Sequence, residues 1–526
     1  MYIRSRKNAS GSTSVFIVDS RRVKGKTHSQ SIMVKSFGSS ADPEKIEAML
    51  AQAQEYKLKL QQAKIVAHKK LTLSIPSDLS SCTIQTTGTK ELYGSIFQQF
   101  FSSVNLPKLN KQILEDIAVM RIAKPMSKYK TSKEFTNFGC SSFTPNQIYR
   151  FMDSLNDKNI GKLKQAIYQN TKQILGDKEQ VDVLFYDLTT IYFETNNQDA
   201  IRDFGFSKDG KHQHVQITMA LMVTKHGLPV GYELFPGNVF EGHTLIPVLS
   251  KLRKEYKIDK VSIVADSALM NNINLTDLEQ NDFGYIVAAR VKSMNKQLTQ
   301  EMLDQEGYRG YGEDMRYKVI KLENRYLVTV FSEQRARKDA YDRVRSIEKA
   351  QKHIGSSVKG KLSGSLKKSY FVLSKDCKIL LDEEKIAKME KLDGYFGFYT
   401  NEDASPEDII AQYRGLWQVE QSFRISKHNL KIRPVYHWNT ERIKAHFAIC
   451  FLSLSLIRYT EFLLKQSGNQ IPIEKLQQML ERVQIVRIIS KGEVFYIRSD
   501  MPKELILIYD ILHIKRPKSF MHSSQM

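Results

Sequence analysis

The sequence predicts a mixed α/β protein of several domains, and three observations support this class. The chain has 526 residues, more than one ordinary hydrophobic core organises. Residues 90–175 follow a helical pattern with short connectors. Between residues 181 and 290, short apolar runs alternate with helical segments in the order β-β-β-α-β-α-β, which is typical of a mixed sheet with helices packed on it.

The N-terminal part predicts a small β-hairpin module followed by a helix. Residues 14–36 contain two β-rich runs, VFIVDS and SIMVKS, around the basic connector RRVKGKTHSQ. The motif DPE at residues 42–44 then opens a charged helix over residues 43–66. We expect residues 1–80 to form this module and residues 81–178 to form a helical domain.

The predicted core begins with three nearly continuous apolar runs, VDVLFYD, VQITMALMV and LPVGYEL, as strands buried on both faces do. Helices near residues 243–254 and 274–280 alternate with the strands VSIVAD and YIVAAR. A hairpin, a charged helix and a Gly/Ser/Lys-rich loop then interrupt this core. We expect four segments here: a first core part at 179–290, a β-rich insertion at 291–404, a second core part at 405–460 and a C-terminal region at 461–526.

The charge balance predicts a polyanionic partner. The chain has 79 Lys and Arg residues against 57 Asp and Glu residues, a net charge of +22. Such an excess favours nucleic acid first and an anionic membrane second, with a merely basic protein as the alternative. Two predicted helices of the 81–178 region resemble a helix-turn-helix, with Lys128, Lys130 and Arg150 as candidate DNA contacts. A plain helical bundle with solvated lysines is an equal alternative.

Cysteine usage and hydropathy predict a cytoplasmic protein. The four cysteines occur without a CxxC pair, which argues against a zinc site and a disulfide framework and fits a reducing compartment. The first residues, MYIRSRKNASGSTS, lack the apolar core of a signal peptide. The most apolar run, residues 446–457, is too short to span a bilayer and predicts a buried helix. We therefore expect no membrane partner.

Residues 405–430 predict one amphipathic helix with an unusual acid. Ser405 can cap it, Pro406 fits its first position, and acids follow in the first turn. One face combines aromatic, apolar and charged side chains, namely Tyr413, Leu416, Trp417, Glu420, Phe423, Arg424 and Lys427. A half-buried carboxylate on this face needs a metal or a cationic partner, and a local pair of Glu420 with Arg424 is the alternative.

Two aspartates are expected at the rim of the sheet. Asp187 ends the first apolar run and Asp266 ends the fourth. If these two strands are neighbours, the carboxylates come within bridging reach of a metal, and oxygen ligands suit Mg²⁺ or Mn²⁺. Two such ions can drive in-line phosphodiester displacement, with Glu420 as the third acid. Each aspartate alone is as readily a turn former.

These residues resemble those of the DDE transposases of bacterial insertion sequences, which have an RNase H-like core. Within that class the chain is similar to the insertion-sequence-four superfamily, whose third acid lies in the signature Tyr-x2-Arg-x3-Glu-x6-Lys. Tyr413, Glu420 and Lys427 have this spacing, while the signature arginine is replaced by Leu416. Arg424, on the same helix face as Glu420, is the candidate to supply the missing charge, and the variant pattern YRxxWxxExxFRxxK is satisfied throughout.

The resemblance implies a function. Asp187, Asp266 and Glu420 would hold two Mg²⁺ ions, for which Mn²⁺ can substitute. Water and then a DNA 3′-hydroxyl would attack phosphodiesters at the inverted repeats of the element and in target DNA. Tyr413 and Lys427 would hold phosphates near the scissile bond. A homodimer on double-stranded DNA, within the cytoplasm and associated with the nucleoid, is the expected assembly.

Two interpretations compete with a cut-and-paste transposase. One is an RNase H-fold nuclease or resolvase without strand transfer, and the other is a DNA-binding remnant without catalysis. Trp417 has two interpretations of its own. Its ring either stacks on an unpaired base near the cleavage site, or packs in the core, which is the commoner role of such a residue.

Overall fold

The structure is a computed structural model. It describes residues 2–22, 29–67, 82–176, 181–206, 210, 213–256, 258, 261–267, 272–351, 371–373, 379–490, 493–516 and 518–522. The chain divides into two compact units, Met1–Leu79 and Ser80–Met526. The predicted mixed α/β class is confirmed, because helices pack on a large mixed sheet in the second unit. The domain boundaries proposed inside that unit stay predictions.

The first unit is a three-stranded antiparallel sheet with one helix. Its elements are β1 (Tyr2–Lys7), β2 (Thr13–Arg22), β3 (Ser29–Ser40) and α1 (Pro43–Ala67). The predicted hairpin corresponds to β2 and β3, and β1 adds a strand that the sequence pattern did not indicate. Val15, Ile17 and Ala53 form its buried core. Residues 23–28 of the basic connector lie outside the described residues.

The second unit begins with one strand and five helices. They are β4 (Cys82–Thr86), α2 (Gly88–Phe101), α3 (Lys108–Ala123), α4 (Lys128–Glu134), α5 (Pro145–Ser154) and α6 (Asp157–Leu175). The start of α5 shows a complete capping box, in which the Thr144 hydroxyl accepts from the Gln147 backbone while the Gln147 side chain accepts from the Thr144 backbone.

The predicted β-β-β-α-β-α-β order of the core is confirmed. Its elements are β5 (Val183–Tyr192), β6 (Gln216–Thr224), β7 (Pro229–Pro236), α7 (Leu245–Lys251), β8 (Ser262–Ala265), α8 (Asn272–Gln280) and β9 (Gly284–Ala288). Strands β5, β8 and β9 run parallel, and β6 and β7 continue the sheet as antiparallel neighbours of β5.

The predicted insertion extends the core sheet. It contains α9 (Lys296–Leu303), β10 (Arg309–Tyr311), β11 (Met315–Lys321), β12 (Tyr326–Ser332), α10 (Glu333–Gln351), β13 (Phe371–Leu373), β14 (Ile379–Leu381), α11 (Glu383–Glu390) and β15 (Tyr395–Thr400). The nine-stranded order is β10-β11-β12-β15-β9-β8-β5-β6-β7. The Gly/Ser/Lys-rich loop at 355–369 lies outside the described residues.

The rest of the chain returns to the sheet and then to the helical region. It forms α12 (Pro406–Arg414), α13 (Trp417–Arg424), α14 (Thr440–Gln466), α15 (Ile473–Glu481), β16 (Gln484–Ser490), β17 (Glu493–Arg498), α16 (Lys503–Ile511) and β18 (Phe520–His522). Strand β16 pairs with β4, so the C-terminal region and the helical region share a four-stranded sheet.

Helix α14 lies at the centre of the second unit, with α2, α3, α5 and α6 packed around it. It is longer than the apolar run that the sequence suggested, and by length and composition alone it could cross a membrane. In the described structure, 89% of its most apolar window is buried inside the protein. The helical region therefore packs as a bundle around α14, and its role in DNA binding stays a prediction.

Candidate active site

Two aspartates lie on one face of the sheet, on adjacent parallel strands. Tyr186 of β5 is opposite Ala265 of β8, and Asp187 and Asp266 are the next residue on each strand. Phe185, two residues before Asp187, belongs to the core beneath α13, so Asp187 projects toward the same face. Neighbouring strands are about 4.8 Å apart. Each aspartate accepts a hydrogen bond from the backbone N–H of the residue that follows it, at 2.7 and 2.6 Å.

The prediction that Asp187 ends its strand is wrong. Strand β5 continues to Tyr192 because it keeps an antiparallel partner in β6, where Asp187 is opposite Leu221. Its other partner, β8, stops at Ala265. Asp187 therefore lies beside the end of β8, so its side chain is at the rim of the sheet although β5 itself continues.

The predicted continuous helix at 405–430 is two helices joined by a tight turn. Ser405 caps α12, accepting from the backbone N–H of Asp408 at 3.1 Å, as predicted. Helix α12 ends at Arg414, and the i→i−3 hydrogen bonds of Gly415 and Leu416 form the turn before α13. After α13, a π-helical turn spans Ile425–Asn429.

The interruption divides the residues that were predicted to share one face. Leu416 and Phe423 are each 7% exposed and pack in the core, whereas Trp417 is 53% exposed. Glu420 is exposed, so the expectation of a half-buried carboxylate is wrong. Core packing of Trp417 is excluded by the same exposure.

Gly415 explains why the chain turns at this point. A Cβ atom built on Gly415 would lie 2.4 Å from Cζ of Phe185 in β5, closer than carbon atoms approach. Only a glycine lets the α12–α13 turn lie this close to the strand that carries Asp187. The turn therefore brings α13, and with it Glu420, over the sheet.

A buried arginine fixes α13 from its other side. Nη2 of Arg458 donates to the side-chain oxygen of Gln418 at 2.7 Å, and its Nε donates to the carbonyl of Gly227 at 2.8 Å. Glu461 accepts from the same guanidinium at 2.9 Å. Hydrogen bonds to a buried charge of this kind hold an element in one position. No local sequence pattern indicated this network.

The hydroxyl of Tyr413 is affected electrostatically by all three acids. Burial is the largest cause that raises the pKa of its hydroxyl above the usual range. Three carboxylates raise that pKa further, those of Asp266, Glu420 and Asp187. Such effects fall with distance, so the three carboxylates belong to the same region of the second unit. The charge of Arg335, on α10, acts on it in the opposite direction.

The donor chemistry of this group fits a hard divalent cation, because three carboxylates offer only oxygen ligands. In the part of the chain that the structure describes, no three His, Cys, Asp or Glu side chains are grouped closely enough to hold a metal. Asp187 and Asp266, from adjacent strands, are the pair whose positions fit a shared ion best.

The strands β5 and β8 and the helices α12 and α13 all lie within the part of the chain that a protein-family model matches. The model of a protein family described as transposase DDE domain matches residues 179–456, just over half of the chain. The chain belongs to this family. No curated protein matches it significantly.

Two solved structures show a weak likeness to the whole transposase. One is a synaptic complex of piggyBac transposase with hairpin DNA, with 10% identity, a TM-score of 0.38, and coverage of 75% of this chain and 78% of that one. The other is a paired-end complex of Mos1 transposase with the left transposon end, with 10% identity, a TM-score of 0.15, and coverage of 36% and 65%.

The cations predicted on α13 and after it have separate positions in the DDE domain. Lys427 is partly buried within the π-helical turn, so a regular two-turn spacing from Glu420 is not kept. Arg424 is exposed and makes no ion pair with Glu420 in the described structure. Burial raises the pKa of the Glu461 carboxyl, and the positive charge of Arg424 offsets part of that rise.

Outside the matched region, one predicted DNA contact is wrong. Lys128 is 3% exposed, because it shares the buried face of α4 with Thr131, so its ammonium cannot meet a DNA backbone. Burial is the main cause that holds its pKa well below the usual range, followed by the charge of Arg121. Lys130 and Arg150 are exposed, and their contact with DNA stays a prediction.

Proposed function

We propose that this transposase cuts DNA at the ends of a mobile element and joins the freed 3′ ends to target DNA. Within its family we assign it to the insertion-sequence-four group, on the spacing of Tyr413, Glu420 and Lys427. The observation that supports the proposal best is the placement of Asp187 and Asp266 on adjacent parallel strands, next to each other in register. The net charge of +22 suits a DNA substrate.

Asp187, Asp266 and Glu420 would hold two Mg²⁺ ions, with Mn²⁺ able to substitute. Bound there, the metal supplies Lewis-acid charge that offsets the negative charge developing on the phosphate. In the first step a water oxygen bonds to phosphorus and the P–O3′ bond breaks, which leaves a 3′-hydroxyl. In the second step that hydroxyl attacks a target phosphodiester and displaces another 3′ oxygen.

The other side chains would position the DNA. The hydroxyl of Tyr413 is protonated at neutral pH, and burial raises its pKa further, so it can donate a hydrogen bond to a phosphate oxygen. Lys427 and Arg424 would add cationic contacts, and the exposed ring of Trp417 would stack on an unpaired base. Lys130 and Arg150 would hold flanking duplex, and a cytoplasmic homodimer would pair the two DNA ends.

The test uses the full chain, a duplex containing the DNA that flanks its gene, and Mg²⁺. Asp187→Asn, Asp266→Asn and Glu420→Gln should each lower the cleavage rate about 10³-fold or more, because several kcal/mol of transition-state stabilisation are lost. Binding to the same duplex should persist. Asp403→Asn, an exposed acid just before α12, is the matched control and should cut normally.

Three outcomes would change the proposal. Normal cleavage by any one acid variant would remove that residue from the site. Cleavage by the wild-type chain without joining to a target would favour a nuclease or resolvase. Binding without any cleavage, with or without Mg²⁺ or Mn²⁺, would indicate a DNA-binding remnant.

A further inference from the structure

An arginine of the insertion lies at the end of a row of aromatic rings that leads to Tyr413. The guanidinium carbon of Arg335 is 4.7 Å from the ring centroid of Phe396. The ring of Phe396 is 5.7 Å from that of Phe398, which is 4.3 Å from that of Tyr413. Phe396 and Phe398 are two residues apart on β15, so they share the sheet face on which α12 packs.

The guanidinium of Arg335 is held in place but stays accessible. Its Nε lies 3.8 Å from Oδ2 of Asp339, one turn along α10. The same carboxylate oxygen accepts a hydrogen bond from the backbone N–H of Gly394 at 3.1 Å, which ties it to the start of β15. The Arg335 side chain is nevertheless 51% exposed. A planar cation stacked on an aromatic ring, with its edge toward solvent, is well suited to bind a phosphate.

The side chains at positions 414 and 416, near the α12–α13 turn, make contacts elsewhere. The guanidinium of Arg414 lies 5.6 Å from the ring centroid of Tyr311 and contacts the sulfur of Met315. Arg424 is exposed on α13 and is a separate candidate for a DNA contact beside Arg335. Leu416, where the signature has its arginine, is 7% exposed and packs in the core. Arg335, by contrast, acts electrostatically on the Tyr413 hydroxyl, together with the three carboxylates.

We propose that Arg335 binds a DNA phosphate next to the scissile bond, and that the insertion thereby supplies the guanidinium missing at Leu416. This inference rests on the proposed function, because it names a substrate contact of the same site. Arg335 is a positioning residue for DNA, and it takes no part in bond making or breaking.

The main variant is Arg335→Gln, and Arg337→Gln is its matched control. Arg337 is on the same helix, is more exposed, and has an equivalent i,i+4 ion pair with Glu333, at 3.8 Å. Both changes remove one positive charge from α10. We expect Arg335→Gln to lower kcat/KM for cleavage of the flanking duplex about 10- to 100-fold, as expected for the loss of one charge-assisted hydrogen bond. Arg337→Gln should stay within about twofold, and Arg335→Lys should recover only part of the loss.

A modified substrate separates a phosphate contact from a structural role. A neutral methylphosphonate is placed at each phosphate in turn around the cleavage site. At one position the wild-type chain should lose about 10-fold or more in cleavage, whereas Arg335→Gln should lose almost nothing further. If every methylphosphonate affects both proteins equally, Arg335 touches no phosphate and the inference is overturned.

Failure of this inference differs from failure of the proposed function. If the wild-type chain cuts and Arg335→Gln matches Arg337→Gln, the function stands and the Arg335 contact is overturned. If the wild-type chain does not cut at all, the proposed function fails. The Arg335 contact is then tested by equilibrium binding of the variants to the duplex. Equal affinity of both variants for the duplex across salt concentrations then overturns the contact, and a selective loss for Arg335→Gln supports it.

Discussion

Leu416 and Lys128 show how burial decides the role of a single residue. An arginine at position 416 would place its guanidinium among Val419, Phe423 and their neighbours in the core, where an unpaired charge is costly. The chain therefore has a leucine there, and an accessible cation must come from another element. Lys128 shows the converse, because its side chain was predicted from the sequence to contact DNA but is buried in the structure.

His437 is the residue for which we expect a measurable effect of pH on stability. Burial, and then the charges of Lys128, Arg121 and Arg442, lower its pKa to about 3. The unfolded chain binds a proton near pH 6.5 and the folded chain does not, so stability falls as pH decreases from 6.5 toward 3. Between pH 6.5 and 5 this side chain should cost about 2 kcal/mol of unfolding free energy.

The measurement is urea unfolding at a series of pH values. His437→Asn should flatten the dependence by about that amount, while His428→Asn, at an exposed histidine, should leave it unchanged. Some slope should remain, because burial also lowers the pKa of His446. An unchanged slope in His437→Asn would show that His437 titrates normally in the folded protein.

At the scale of elements, the junction of α12 and α13 sets the position of Glu420, and Gly415 is its critical residue. Gly415→Ala brings a Cβ to 2.4 Å from Phe185, and such overpacking costs about 1–3 kcal/mol. The shift of α13 away from β5 should also lower cleavage about 10- to 100-fold, since small misplacements of catalytic groups have large effects.

Gly161→Ala is the matched control for that change. Gly161 lies inside α6, and a Cβ there would meet no atom within 4 Å. That variant should gain up to about 1 kcal/mol from helix propensity and should cut DNA normally. Thermal unfolding and cleavage rates of both variants give the comparison. Equal stability and activity of the two would mean that the turn does not depend on contact with Phe185.

The sequence predicted these elements better than it predicted their junctions. The cap at Ser405, the helix α10 and the strands of the core follow from local patterns, and the structure has them. The break at Gly415 depends on Phe185, some 230 residues earlier in the chain, and no local pattern contains that contact. The π-helical turn at Ile425–Asn429 was missed for the same reason.

At the scale of the whole molecule, Asp187 and Asp266 become neighbours because the sheet joins distant parts of the chain. Asp187 and Asp266 were predicted to be neighbours only if β5 and β8 pair, which the sheet confirms. The sequence could not indicate that β15 pairs with β9, with Phe398 opposite Ala288. That pairing attaches the insertion to the core, and it gives Phe396 and Arg335 their positions relative to Tyr413.

The division into two units predicts that residues Ser80–Met526 fold without the first unit. The core of Val15, Ile17 and Ala53 belongs entirely to Met1–Leu79, and the members of the larger cores all lie in Ser80–Met526. Deleting Met1–Leu79 should therefore remove one small calorimetric transition and leave the midpoint of the main one within about 2 °C. Because Asp187, Asp266 and Glu420 all lie in the remaining unit, the truncated chain should keep the proposed Mg²⁺-dependent cutting of short duplexes. A main transition that falls by 10 °C or more, on the order of several kcal/mol, would show that the first unit stabilises the second.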